Sequence, residues 1–236
     1  MKKTVKLISL AAAIFAGLSG TAQAEGFKIG ADVVSSYVWR GIEIGDSAAI
    51  QPALSYTFPG IGVVVGAWGS YAITDNVIDD LGNKHRYQEV DLYATVPVGP
   101  LSLTVTDYYV VPFNTGSSNR TFDFTGDGPN VVELSVGYAE KNLSLLAAIN
   151  VAGNDTSIGF KNAKYFEAGY KFYEKDGFTA KGVVGFGDED YYGNPANGDN
   201  IALVNTGISV SKDRYTASYV YNPNTEKSNL VFMASF

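Results

Sequence analysis

The chain has 236 residues, no cysteine, and 17 Lys and Arg against 24 Asp and Glu, for a net charge of −7. Without cysteine there is neither a disulfide framework nor a thiolate metal site. So acidic a chain lacks the basic footprint that a phosphate backbone requires, which excludes nucleic acid as a partner.

The first element is a leader. Lys2, Lys3 and Lys6 form a basic start, residues 7–18 are apolar apart from Ser9, and Ala22-Gln23-Ala24 is a small-residue cleavage site. This pattern predicts a secretory signal peptide over residues 1–24 and leaves a single domain, residues 25–236. The apolar run is too short to span a bilayer as a helix, which takes ~20 residues. No later run approaches that length, so a membrane span in the mature chain has to be a strand.

Period two then begins at once. From Phe27 the odd positions are apolar, and the alternation runs on through Tyr37 and Trp39. It predicts a first strand ending at Arg40, whose side chain faces inward. The next faces are Ile50, Leu54, Tyr56 and Phe58, then Ile61, Val63, Val65, Ala67, Tyr71 and Ile73, then Val90, Leu92, Ala94 and Val96. Leu101–Val105, Val132–Tyr138, Leu143–Ile149, Phe166–Phe172 and Phe178–Phe186 repeat the pattern, and blocks at 202–210, 215–221 and 230–236 close the chain. Pro52 lies inside a block and cannot donate a ladder bond, so a bulge or a local break is expected there. Asp107 falls on the apolar parity, so it is expected above a lipid boundary or beside a register slip.

The connections alternate in length. Pro59-Gly60, Val98-Gly99-Pro100, Glu140-Lys141-Asn142, Lys175-Asp176-Gly177 and Lys212-Asp213-Arg214 are tight turns. Between them lie longer polar stretches at 41–47, 74–86, 112–130, 152–163, 188–199 and 223–227. Short turns at one end and long loops at the other are the layout of a membrane barrel. The fold class expected is therefore all-β: a transmembrane up-and-down antiparallel β-barrel of about twelve strands, with ten or fourteen as alternatives. The short turns are expected on the periplasmic side of the outer membrane of a Gram-negative cell, and the long loops outside.

Aromatic residues sort to the strand ends. Phe27, Tyr56, Phe58, Tyr138, Phe172, Phe178, Tyr215 and Phe236 gather at the periplasmic ends, and Tyr37, Trp39, Tyr71, Tyr109, Phe166, Phe186 and Tyr221 at the opposite ends. Two such belts suit amphipathic rings at headgroup depth. The closing stretch Leu230-Val231-Phe232-Met233-Ala234-Ser235-Phe236 resembles the C-terminal signature of outer-membrane proteins. That resemblance implies the barrel-assembly machinery as a partner, through the strand ending at Phe236.

The inward parity collects the residues with chemistry. Asp32, Glu89, Asp91, Glu133 and Glu167 stand with Arg40, Lys171, Lys181 and Lys28, besides Tyr93 and Tyr173. The first eight of these, Lys28 excepted, are the candidate pore-lining residues. Near balance of sign argues against steep anion or cation selection. Gly62, Gly66, Gly169, Gly185 and Gly207 are expected to leave room inside. Arg40 has two readings: it binds an anionic solute at the pore mouth, or it pairs with a carboxylate and fixes the first loop.

Catalysis and metal binding find little support. The only histidine, His85, lies in a long loop between Lys84 and Arg86, and no Gly-x-Ser-x-Gly elbow occurs, so no enzyme is expected. The acidic loops Asp75–Asp80 and Gly187–Asp190 lack the spaced ligands of a calcium loop and read as solvated charge, so neither metal nor cofactor is expected.

The stretch Ser35–Phe58, SSYVWRGIEIGDSAAIQPALSYTF, resembles the opening of the TorF-type porin family of bacterial outer-membrane proteins. Ser36, Tyr37, Trp39, Arg40, Gly41, Gln51 and Pro52 carry the resemblance, and Ser36 stands where the family often has an Asp. It implies a barrel and a channel role and supplies no substrate. The function expected is a passive channel for small hydrophilic solutes, with outer-membrane lipid and lipopolysaccharide around it. A non-conducting barrel that binds a surface partner through the 112–130 loop is the alternative, and a lipid-modifying enzyme a further one.

Overall fold

The structure is a computed structural model, and it describes residues 26–236 except 76, 79–81, 113–119, 127, 154–161 and 198–199. The signal-peptide reading of residues 1–24 lies outside the described residues. Twelve antiparallel strands follow one another around a ring. They are β1 (Gly26–Val34), β2 (Ala49–Thr57), β3 (Val64–Ala72), β4 (Gln88–Val98), β5 (Leu101–Val110) and β6 (Asn130–Glu140). Then come β7 (Leu143–Gly153), β8 (Lys164–Lys175), β9 (Phe178–Asp188), β10 (Ile201–Lys212), β11 (Tyr215–Asn222) and β12 (Lys227–Ser235).

The ring closes between first and last strands. Asp32, Val33 and Val34 pair with Ser235, Ala234 and Met233. Ala31 and Phe236 exchange two backbone hydrogen bonds, at 3.2 and 2.9 Å, and the Ser35 N–H donates to the Phe232 carbonyl. Every strand has a neighbour on both sides, so the ring is closed, with its shortest seam between β1 and β12. The chain's last residue therefore sits in a ladder and not at a frayed end.

Alternation sets inside from outside. Ile29, Leu103, Ile208, Leu230 and Phe232 point outward and are exposed, while Asp32, Gln51, Ser70, Glu89, Asp91, Ser102, Thr106 and Glu133 point inward and are buried. The outer surface is apolar and the lumen polar, the reverse of a soluble domain. At the end carrying both termini, two-residue turns join four of the five strand pairs, and residues 58–63 join β2 to β3. Asp176 and Gly177 hold φ of 51° and 79°, the left-handed pair that a tight hairpin needs. Lys141 and Asp213 take the same conformation at two other turns. The long connections all lie at the opposite, loop end.

Several sequence expectations are corrected. The first strand stops at Val34, not Arg40, because the chain leaves the wall after Ser35. Tyr37 and Trp39 consequently turn into the lumen instead of joining the outer belt. Tyr173 faces outward: the β8–β9 register shifts between Lys171 and Tyr173, which flips the parity beyond it. The glycine sites are occupied by neighbours. The Tyr93 ring covers Gly66, Lys181 and Ser144 cover Gly169, and the Tyr165 hydroxyl covers Gly185.

Pro52 produces a local break, not a bulge. Ile50 pairs with Tyr71 and Ala53 with Trp68 in one unbroken register, and the β2–β3 ladder is interrupted only at Gln51–Pro52. Asp107 lies towards the loop end of β5, where both its oxygens accept hydrogen bonds from Asn130 Nδ2 at 2.9 and 3.1 Å. Its partner Val132 borders a register shift in β6.

Candidate functional site

The site is the loop-end half of the lumen, and the chain builds it from the first connection. Val38–Trp39 pairs with Ile42–Glu43 in a short hairpin, with Arg40 and Gly41 at its tip. Both tip residues hold positive φ, 50° and 86°. Arg40 accepts that strain for a place in the lumen, and Gly41 has a second reason to lack a side chain. A Cβ at Gly41 would collide with the Val204 carbonyl of β10. The hairpin thus leaves the wall beside β1 and abuts it again at β10, three strands round the ring.

Along that path each side chain meets a different strand. The Tyr37 ring packs on Trp68 of β3, with centroids 5.4 Å apart. Trp39 packs on Tyr108 of β5 at 5.7 Å. The Arg40 guanidinium donates to both oxygens of Glu133 on β6, at 2.6 and 2.9 Å, and to the Tyr192 hydroxyl at 2.8 Å. It also lies over the Trp39 and Tyr165 rings, 4.5 and 4.6 Å from their centroids. The Arg40 and Glu133 side chains are 2 % and 3 % exposed. Burial works against the guanidinium charge, but the Glu133 carboxylate outweighs it, and Arg40 is held more firmly protonated than usual.

A second connection folds in behind the first. The short helix α1 (Glu189–Tyr192) follows β9. Its Tyr192 is buried against Trp39 and Tyr165, at 5.5 and 5.1 Å. Asn222 Nδ2 donates to the Tyr192 carbonyl at 2.8 Å, and Asn224 donates to the Glu189 carboxylate. Burial pushes the Tyr192 hydroxyl up to about 12, and raises Tyr37, Tyr87 and Tyr191 above the usual range as well.

The charges inside are sorted by depth. Asp32, Glu89, Asp91 and Glu133 are buried on the loop-end side, where Arg40 is the one buried cation among the described residues. Glu167 stands nearby and accepts from the Tyr165 hydroxyl at 2.8 Å and from Asn205 Nδ2 at 3.2 Å. Lys171 and Lys181 face each other across β8 and β9 towards the turn end, and Lys171 pairs with Glu174. The near balance expected from the sequence therefore splits into an acidic half and a basic half.

The acidic loops engage the fold itself. Asp188 pairs with Lys164 at 3.7 Å, and Asp75 accepts from Arg86 Nε at 3.1 Å. His85 lies in a two-residue ladder, Val77–Ile78 with Lys84–His85, outside the ring. Among the described residues no three His, Asp or Glu side chains gather as metal ligands would.

Sequence reading found Arg40 and the lumen carboxylates and missed the rings that surround them. Trp68 and Tyr165 are hidden by the alternation, because a ring on the inward parity reads only as an exception, and Tyr191 and Tyr192 are hidden by their place in the long connection after β9. The signal for the hairpin was Trp39-Arg40-Gly41, a turn triplet on what looked like a strand.

A family described as "Bacterial protein of unknown function (Gcw_chp)" matches residues 19–224. The chain belongs to this family. Its description assigns no activity, so the Gcw_chp assignment carries the fold's kinship and no chemistry. No curated protein matches the chain. A solved structure described as "Asymmetric conductivity of engineered proteins" is 12% identical over 89% of this chain and 98% of that one, with a TM-score of 0.35.

Proposed function

We propose that this chain is an outer-membrane barrel acting as a narrow passive channel for small hydrophilic solutes. The observation that carries the reading is the closed ring with an apolar outside and a polar lumen, an arrangement that places greasy side chains in lipid. The resemblance of Ser35–Phe58 to TorF-type porins agrees with it. In this reading the Arg40 hairpin sets the bore, as a loop folded across the passage and pinned to the opposite wall by Glu133. Solutes larger than the space beside Trp39 and Tyr192 are excluded.

Planar bilayers test this. The wild-type barrel is expected to give small discrete conductance steps, and Arg40→Ala, which frees the hairpin, larger ones. Silence from both proteins overturns the channel reading and leaves the barrel intact. The dense packing of Trp39, Tyr108, Tyr191 and Tyr192 around Arg40 favours a second reading, a non-conducting barrel that binds lipopolysaccharide through its loops. That reading requires silence in bilayers and loss of lipopolysaccharide binding when residues 112–130, of which 113–119 and 127 lie outside the described residues, are shortened.

A further inference from the structure

Two of the buried polar atoms without partners belong to residues opposed across one ladder. Trp68 on β3 and Asp91 on β4 are directly opposed across the ladder, 5 % and 2 % exposed. The Trp68 Nε1–H and Asp91 Oδ1 are both buried without a hydrogen bond. One is a donor and the other an acceptor, yet they do not satisfy each other. Buried polar groups in native proteins are almost always paired, so these two atoms call for partners.

The surroundings say what kind. Glu89, two residues along on the same inward face, accepts from the Tyr87 hydroxyl at 3.1 Å and from Tyr37. Asp32 lies in the same belt, because Asp32 opposes Gln51, and Ser70 opposes Glu89. Gln51 Nε2 in turn donates to Ser70 Oγ at 3.3 Å, which ties the belt together. Glu89, Asp107 and Glu133 each add negative charge around Asp91. Arg40 is already engaged by Glu133 through both carboxylate oxygens. A buried carboxylate with only carboxylates around it is missing a counter-charge.

We propose that the lumen wall between Trp68, Glu89 and Asp91 binds a hydrated monovalent cation, and that the barrel passes cations in preference to anions. The cation neutralises Asp91 and Glu89, and one of its waters accepts the Trp68 Nε1–H. That division explains why a donor and an acceptor stand side by side unsatisfied: a bare metal ion would leave the indole N–H alone. Two carboxylates without a third suit a weakly held, exchangeable ion and not a tight metal centre. The aromatic wall from Tyr37, Tyr87 and Trp68 keeps the site narrow. The lysines at the turn end stand away from it.

The binding part of this inference stands without transport, and only the selectivity part rests on the channel reading. Two measurements separate them. In detergent at fixed ionic strength, the thermal unfolding temperature is expected to be higher in potassium or sodium chloride than in N-methylglucamine chloride, whose cation is too large for the site. Asp91→Asn should abolish that difference. In bilayers under a potassium chloride gradient, the reversal potential should give a cation-over-anion permeability ratio of order ten, the scale of charge focusing in a narrow cleft. Asp91→Asn should bring the ratio close to one.

Should Asp91→Asn fail to fold, Glu89→Gln tests the charge and Trp68→Phe tests the donor, each with the same two readouts. A cation-dependent unfolding temperature in a silent barrel keeps the site and removes the channel. Conduction without preference for cations, together with unfolding indifferent to the cation, removes this inference and keeps the channel. Selectivity unchanged by Asp91→Asn and by Glu89→Gln overturns the assignment of these residues.

Discussion

Arg40 is the residue on which the lumen turns. A guanidinium taken out of water needs its charge answered and its donors satisfied, and Glu133, Tyr192 and the faces of Trp39 and Tyr165 supply both. Such a pair adds little over a well-packed apolar pair but is costly to break from one side. Arg40→Ala and Glu133→Gln are each expected to lower the stability of the folded barrel by about 3–5 kcal/mol, read from urea unfolding midpoints in detergent. The double variant Arg40→Met, Glu133→Leu is expected to lose less than the sum of the two, since it strands no buried charge. Additive losses would mean that the two side chains do not act as a unit.

At the level of the element, the inward hairpin and α1 form one plug, because Trp39 touches Tyr191 and Tyr192 at 6.0 and 5.5 Å. Its tyrosines make the plug sensitive to alkali. Tyr192 rises from 10.0 to about 12 on folding, and Tyr37, Tyr87 and Tyr191 are raised too. Groups raised on folding contribute stability that is complete below the unfolded pKa and is lost as pH climbs through the folded one. Unfolding midpoints should thus hold level up to about pH 10 and fall between there and pH 12. Replacing Tyr192 with Phe should flatten part of that fall while costing some stability at pH 8 through the lost Arg40 contact. An unchanged slope would show that Tyr192 ionises freely in the fold.

The strands of the ring were legible and the plug was not, for a physical reason. A strand in a barrel wall has two distinct environments, and period two records them in every residue. Val90, Leu92, Ala94 and Val96 could be assigned from four letters each way. A hairpin inside the lumen has no lipid on one side and water on the other, so Tyr37, Val38 and Trp39, all partly buried, show no separate polar face to mark it. Their alternation merely continued that of β1. The bulge that turns Tyr173 outward left no mark either, since Tyr is at home on both faces. Arg40-Gly41 was the exception: an arginine and a glycine together break the apolar rhythm.

At the scale of the whole molecule, closure depends on a short seam. β1 meets β2 along all nine of its residues, from Gly26 opposite Thr57 to Val34 opposite Ala49, but meets β12 only through Asp32, Val33 and Val34 plus the flanking bonds of Ala31 and Ser35. Phe236 provides the last two of those bonds through its own backbone, and its ring lies 5.5 Å from the Arg214 guanidinium. Side chain and main chain can be separated by experiment. Phe236→Ala keeps the two backbone bonds and removes the ring, a loss of about 0.5–1 kcal/mol at an exposed cation–π contact beside the lost lipid contact. Deleting Phe236 removes the bonds as well, and leaves the Ala31 N–H and carbonyl unpaired in a wall where each open group costs several kcal/mol. The deletion should therefore lower the folded fraction in refolding into lipid vesicles well beyond Phe236→Ala, as read by the mobility of unheated protein in detergent gels. Equal effects of the two variants would assign the terminal residue's role to its ring alone and take the backbone seam out of the account of closure.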